Sequence, residues 1–103
     1  MKTYRIDFCR TKRNGEENLL IMELPRERFT KREFKDCVIA QLFELAGEGS
    51  QNKMLSAYVS CDGRKVLTFR CDTKVDGSTI DAHVYVARPR EVFHRLRTMN
   101  IAG

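Results

Sequence analysis

The residues best suited to chemistry in this sequence are the arginines near its C-terminal end. Arg88, Arg90, Arg95 and Arg97 lie close together in the chain, with His94 among them. Guanidinium groups bind phosphate and carboxylate through paired hydrogen bonds, so this cluster predicts contacts to an anion such as nucleic-acid backbone. In a helix, Arg90, His94 and Arg97 would share one face because of their i, i+4, i+7 spacing. The alternative is a solvated helix face whose arginine stems cover apolar surface.

A second candidate surface lies on the outer face of three strands predicted later in the chain. The alternation of apolar and polar residues along these strands places the following side chains on that face: Tyr58, Arg64, Val66, Thr68, Arg70, His83 and Tyr85. Bases stack on aromatic rings while arginines contact phosphates, so the pattern predicts a nucleic-acid platform. Ordinary cross-strand pairing, or cover by a second helix, is the alternative. Arg10, Lys12 and Arg13 in a hairpin turn would extend the basic surface if that turn lies near the C-terminal arginines.

Motifs for catalysis or cofactor binding are missing from the sequence. It contains no phosphate-binding glycine loop, no G-x-S-x-G elbow and no H-E-x-x-H pair. Neither His83 nor His94 lies at zinc-finger spacing from a cysteine pair. We therefore expect no metal, no cofactor, no small-molecule substrate and no enzymatic activity.

The four cysteines are scattered rather than paired. Cys9, Cys61 and Cys71 fall in strand-like runs and Cys37 in a helix-like run. Cysteines of this kind are usually small buried hydrophobic residues in a reducing compartment. A disulfide between Cys61 and Cys71 is the alternative.

One short segment resembles part of a metal-dependent enzyme family. Ala46-Gly47-Glu48-Gly49-Ser50 follows a predicted helix and is similar to the end of the LAGLIDADG homing-endonuclease motif. The resemblance implies a divalent-metal ligand at Glu48. The chain departs from the family because Ala46 stands where a second acid is usual, the small-residue helix interface is missing, and the length is short for that fold. A glycine that ends the helix, followed by a loop, is the alternative.

The composition predicts a single domain that covers residues 1–103. Hydrophobic residues make up 42% and charged residues 32%, which argues against disorder. No apolar run approaches membrane-spanning length, so we expect no membrane partner. The net charge of +5 favours anionic partners, although such an excess also serves simply to keep a protein soluble. No signal peptide is visible at the N-terminus, so we expect a cytoplasmic protein.

Two alternating strands open the chain, at residues 3–9 and 19–24. A three-residue loop, Arg13-Asn14-Gly15, would place Phe8 opposite Leu20 and so collect the large apolar side chains on one face. The same loop would put Gly15 at a left-handed position. We therefore predict this register for the first hairpin.

A helix from Lys31 to about Ala46 is predicted by the strongest local signal. Thr30 and Glu33 form a capping box, and Phe29 and Phe34 stand at the positions of a hydrophobic staple. Gly47 follows as the stop signal.

The predicted helix has more apolar surface than one core stripe needs. The stripe consists of Phe34, Cys37, Val38, Leu42 and Leu45. Ile39 and Phe43 fall outside it and widen the apolar arc beyond that of an ordinary surface helix. They predict a protein interface, such as that of a homodimer.

Three more strands and a final helix complete the predicted order, ββαβββα. The strands cover residues 54–61, 64–71 and 79–87, with Asp62-Gly63 and Asp76-Gly77 in the turns. A three-residue loop, Cys61-Asp62-Gly63, would place Leu55 opposite Phe69. The helix starts at Pro89, and its apolar side is Val92, Phe93, Leu96 and Met99. The predicted fold is α+β, an antiparallel sheet of about five strands with two helices on one face.

Two functions fit these patterns. The first is a small regulatory protein that engages nucleic acid or a nucleoprotein complex through its arginines. The alternative is a protein–protein inhibitor or adaptor, similar in size and style to phage accessory proteins that inhibit host defence complexes. The charge excess favours the first, and the surplus apolar width at Ile39 and Phe43 favours the second.

Overall fold

A computed structural model describes residues 2–48 and 53–101 and shows an α+β fold. In chain order the elements are β1 Thr3–Lys12, β2 Gly15–Pro25, a 3-10 turn Arg26–Arg28, α1 Lys31–Gly47, β3 Met54–Cys61, β4 Arg64–Asp76, β5 Thr79–Ala87 and β6 His94–Asn100. The strands form one antiparallel sheet in the order β2-β1-β3-β4-β5-β6. The predicted α+β class and antiparallel sheet are confirmed. The prediction of five strands and two helices is wrong, because the described residues form six strands and one α-helix.

The core lies between α1 and one face of the sheet. Its fully buried side chains come from the helix and from the four strands other than β2 and β6, and the largest of them are Ile6, Phe8, Val38, Ile39, Leu42, Leu55, Val59, Phe69, Val84 and Val86. Since α1 is the only α-helix in the described ranges, the opposite face of the sheet has no helix over it. None of the described helical segments is long and apolar enough to cross a membrane.

The capping box at the start of α1 is present as predicted. The Glu33 amide donates to Thr30 Oγ1 at 3.1 Å, and the Thr30 amide donates to Glu33 Oε1 at 2.9 Å. The hydrogen bond from the Thr30 amide, and after it the interaction with the Thr30 hydroxyl, hold the pKa of the Glu33 carboxyl below its ordinary value. The helix continues to Gly47, one residue beyond the predicted end.

Removing the cap should weaken the fold measurably. Thr30→Ala is expected to lower the free energy of unfolding by about 1 kcal/mol, because it leaves the Glu33 amide without its acceptor. Urea denaturation checks this value. Thr30→Ser, which keeps the hydroxyl, should retain most of the stability, and an equal loss in both variants would contradict the capping role.

The first hairpin has the predicted pairing of its apolar residues, but its turn is shorter than predicted. Phe8 lies opposite Leu20, as expected, whereas Lys12 pairs with Gly15 and leaves a two-residue turn. The predicted three-residue loop is therefore wrong. The register changes between Phe8 and Cys9, where Leu19 is the extra residue in β2. A bulge inside the ladder thus aligns the apolar faces in place of a longer loop.

The register predicted for the second hairpin is wrong by two residues. Leu55 pairs with Cys71 instead of Phe69, and the turn contains only Asp62 and Gly63. Both turn residues have positive φ, 53° and 76°, which is the backbone of a type I′ turn. Such a turn matches the twist of its strands, so it is favoured over the longer loop.

The predicted final helix is a strand. Arg90 has φ 71°, a left-handed conformation that interrupts any helix started at Pro89, and the Glu91 amide donates to the Arg88 carbonyl at 3.0 Å to form a turn. β6 then pairs with β5. With α1 already on the inner face, a second helix has no core on which to bury its apolar side. The helix-spaced residues Val92, Phe93, Leu96 and Met99 are all exposed.

Ile39 is part of the core, contrary to the prediction that it lies outside the buried stripe. Only 1% of its surface is exposed. A sheet of six strands is wider than the helix that covers it, so the flank of α1 also rests on apolar side chains. Phe43, the other residue of the predicted interface, is half-buried and packs against the same cluster.

Candidate functional site

A small basic crevice lies where the start of α1 meets the ends of several strands. Its volume is about 190 Å³, and its lining residues are Tyr4, Arg26, Lys31, Phe34, Lys35, Cys61, Val66, Leu67 and Arg88. We call this set the basic crevice. Aromatic and aliphatic side chains form its floor, and four cationic side chains form its rim.

Local structure explains how the four cations come together. Arg26 follows Pro25 at the end of β2, where its amide donates to the Lys2 carbonyl at 3.0 Å. Its guanidinium carbon lies 6.0 Å from the ring centroid of Tyr4. Lys31 and Lys35 are one helical turn apart in α1, and Arg88 directly follows β5. Three separate segments of the chain therefore supply one rim.

No carboxylate from the described part of the chain lines the crevice. Across residues 2–48 and 53–101, neither Arg26, Lys31 nor Lys35 forms an ion pair, and Arg88 has only an exposed partner, Glu91, at 3.8 Å. Like charges held together without counter-charge raise the local positive potential. The crevice is thus arranged to attract an anion.

The positive surface continues along α1 towards β6. A neighbouring depression of about 370 Å³ is lined by Lys31, Arg32, Lys35, Asp36, Ile39, Leu96 and Arg97. Its one carboxylate, Asp36, already accepts a hydrogen bond from Arg97 at 2.8 Å, which ties α1 to β6. The cations of this depression that form no ion pair among the described residues are Lys31, Arg32 and Lys35 of α1.

The predicted C-terminal arginine cluster is divided among different surfaces. In a regular strand Arg95 and Arg97 would share a face, but the register shift at Leu96 in β6 places them on opposite faces. Arg88 and Arg97 lie on the helix side, whereas Arg95 lies on the opposite face beside Tyr85. Arg90 and His94 are exposed, in the turn and at the first residue of β6. The prediction that Arg90, His94 and Arg97 share one helical face is wrong.

The outer sheet face, opposite α1, brings together several of the predicted residues. Arg70, Tyr85 and Arg95 lie side by side across β4, β5 and β6. The Arg70 guanidinium lies 5.2 Å from the ring centroid of Phe93. His83 hydrogen-bonds the Thr98 hydroxyl at 2.9 Å on the same face. Thr68 occupies this face beside Tyr58.

Tyr58 is already engaged within the protein. Its hydroxyl donates to Glu16 at 2.6 Å, and Lys65 lies 5.1 Å from its ring centroid. Burial, and then the hydrogen bond to Glu16, raise the pKa of the Tyr58 hydroxyl. The predicted outer-face positions of Arg64 and Val66 are wrong: the irregularity between Val59 and Ser60 brings Lys65 to that face and turns Val66 into the crevice.

The basic hairpin tip does not extend the crevice. Arg10 and Lys12 both pair with Glu17, and these bonds hold the pKa of the Glu17 carboxyl below its ordinary value. Tyr4, at the other end of β1, reaches the crevice. Four strand spacings also separate β1 from β6, roughly 19 Å. Arg13 is exposed in the turn.

No family model, curated protein or solved structure matches this chain.

Among the described residues, the cysteines and carboxylates form neither a disulfide nor a group that could hold a metal ion. All four cysteines are free, so the alternative disulfide between Cys61 and Cys71 is not formed. Burial raises the pKa of the Cys71 thiol to about 12 and also raises that of Cys9. In the described ranges no group of three His, Cys, Asp or Glu side chains could hold a metal ion. Part of the segment that resembles the endonuclease motif, residues 49–50, lies outside the described residues.

Sequence reasoning missed most of the rim. Arg26, Lys31 and Lys35 belong to no recognisable binding motif and stand only just before or within the predicted helix. One signal was available: Lys31 and Arg32 occupy the first turn of α1, where the helix dipole disfavours cations. Glu33 in the same turn offsets part of this positive charge, and a bound anion would offset more of it.

Proposed function

We propose that this protein is a non-enzymatic binding protein that engages nucleic acid, free or in a nucleoprotein complex, through the basic crevice and the adjoining helix surface. The observation that carries the proposal is the rim of four cations around one cavity without a carboxylate among the described lining residues. Phosphate groups spaced along a backbone satisfy such a row of cations.

The position of the cations on α1 supports an anionic ligand. Lys31 and Arg32 stand at the positive end of the helix dipole, where cations are unfavourable and Glu33 is the acidic residue of the same turn. A bound phosphate removes the repulsion between these charges and interacts favourably with the same dipole. The apolar floor includes the Tyr4 and Phe34 rings, whose centroids lie 4.3 Å apart, and it offers the aliphatic stems of the rim side chains a surface on which to pack.

Charge reversal tests the proposal directly. The double variant Lys31→Glu/Lys35→Glu is expected to bind short oligonucleotides at least about tenfold more weakly. The slope of log affinity against log salt should become shallower by about 0.9 for each duplex DNA phosphate, or about 0.7 for each single-strand phosphate, that the variant no longer neutralises. Fluorescence anisotropy with labelled single-stranded and duplex DNA and RNA over a salt series measures both quantities.

Two control variants locate the binding surface. Arg13→Glu at the hairpin tip removes a positive charge far from the crevice and should change affinity little. Arg70→Glu tests whether the outer sheet face takes part. Undetectable binding by the natural protein, or an equal loss of affinity for Arg13→Glu and Lys31→Glu, would contradict the crevice as the site.

A further inference from the structure

The two edges of the sheet carry opposite charge. β2 contains Glu16, Glu17 and Glu23 and no basic residue, while β6 contains Arg95 and Arg97 and no acidic residue. Glu17 already pairs with Arg10 and Lys12, and Arg97 pairs with Asp36, so Glu23 and Arg95 are complementary charges of the two edges that form no ion pair among the described residues. They are the first and last strands of the sheet order, and no strand of the described chain pairs with their outer sides. Each edge therefore offers free backbone donors and acceptors next to side chains of one sign.

Both edges also expose large apolar side chains. Met99 on β6 and Ile21 on β2 are each 48% exposed, and every residue of β6 is exposed. Beside β6 lies a depression of about 530 Å³ with a largely apolar wall that includes Ala40 and Phe43 of α1. A further strand at this edge would cover these side chains and fill the depression.

Pairing of an edge with its own copy is unfavourable. Pairing of two β6 strands brings together strands with basic residues only, and pairing of two β2 strands brings together strands with acidic residues only, so neither places Arg95 or Glu23 beside an opposite charge of the partner strand. Like charges placed opposite each other destabilise a sheet. The complementary combination is β6 of one molecule with β2 of another.

We propose that the occupant of the β6 edge is a second copy of this chain, which docks through its β2 edge and extends the sheet from one molecule into the next. An antiparallel register aligns the faces: Met99 lies beside Leu20 on the helix side, and Arg95 lies beside Glu23 on the outer side. Leu96 is the extra residue of β6 where the β5–β6 register shifts. Because of this extra residue, the pairs Met99–Leu20 and Arg95–Glu23 can form in the same strand pairing.

This contact is heterologous, because it joins two different edges. An assembly of any length therefore keeps a free β2 edge at one end and a free β6 edge at the other. The assembly grows with protein concentration instead of stopping at a dimer. High salt weakens it, because screening reduces the attraction between the two edges. The inference does not rest on the proposed nucleic-acid function, since neither edge strand lines the basic crevice, although β6 contributes Leu96 and Arg97 to the adjoining depression.

Sedimentation velocity on nuclease-treated protein, over a range of concentrations, tests the proposal. The natural chain should show an average mass that rises with concentration and falls with salt. Glu23→Lys and Arg95→Glu should each weaken association by about tenfold or more, because each sets like charges opposite each other. The double variant Glu23→Lys/Arg95→Glu restores an opposite pair and should restore association.

Two further variants separate the outcomes. Lys53→Glu, on an exposed residue away from both edges, and Lys31→Glu, in the basic crevice, should leave the mass distribution unchanged. A natural chain that stays monomeric at millimolar concentration would overturn the proposal. So would a dimer that neither single reversal affects, which would indicate a two-fold interface elsewhere.

Discussion

Replacing Ile39 by alanine is expected to lower the free energy of unfolding by about 2–5 kcal/mol. The side chain is fully buried, and it packs in the same cluster as Val38 and Leu42. Alanine would leave a cavity that the surrounding helix and strands can only partly close. Urea denaturation followed by circular dichroism measures the change.

Phe43→Ala is the matched control for this experiment. Its ring is half-buried beside the depression at β6, so its removal leaves less unfilled volume and should cost less than Ile39→Ala. A larger loss of stability at Phe43 than at Ile39 would mean that Ile39 faces solvent or a partner, as its place on the helical wheel indicates.

Alkaline conditions are expected to destabilise the protein through Cys71. Burial raises the pKa of its thiol from about 9 in the unfolded chain to about 12 in the folded protein. The folded state therefore holds this proton more tightly. The resulting stabilisation is fully present below pH 9 and is lost as the pH rises through about 12. The difference corresponds to about 4 kcal/mol.

The Cys71 contribution is isolated by comparing variants. The free energy of unfolding is measured by urea denaturation between pH 8 and about 11. Cys71→Ala should start less stable than the natural chain but lose less stability as the pH rises. Cys37→Ala, at a partly exposed thiol, should keep the natural slope. Equal slopes for the natural chain and Cys71→Ala would contradict the assignment.

The local elements of this fold could be predicted where the deciding contacts are close in sequence. The capping box depends on Thr30 and Glu33, three residues apart, and it marks the helix start correctly. The alternation in β1 and β2 fixes which side chains share a face, so the pairing of Phe8 with Leu20 follows even though the predicted loop length is wrong. Burial of one face is enough to specify such a register.

The predictions that were wrong concern features that depend on contacts between residues distant in sequence. Val92, Phe93, Leu96 and Met99 have helical spacing, and only the free edge of β5 decides that this segment becomes a strand. The rim of the basic crevice could not be predicted as a unit, because Arg26, Lys31 and Arg88 meet only after the sheet forms. Of the predicted binding residues, Arg88 belongs to that rim, and Arg97 lies in the adjoining depression.

The strand order has a consequence for how the chain folds. Every strand pairing of the described chain joins strands that are consecutive in the sequence except that of β1 with β3. In that pairing Ile6 lies opposite Val59, and both β2 and α1 lie between the two strands in the sequence. The hairpin and the four-strand meander can form from local contacts, whereas this pairing must close a long loop. The loop-closure entropy of folding is thus concentrated in one event. Side chains at that junction should therefore influence the folding rate more than the unfolding rate.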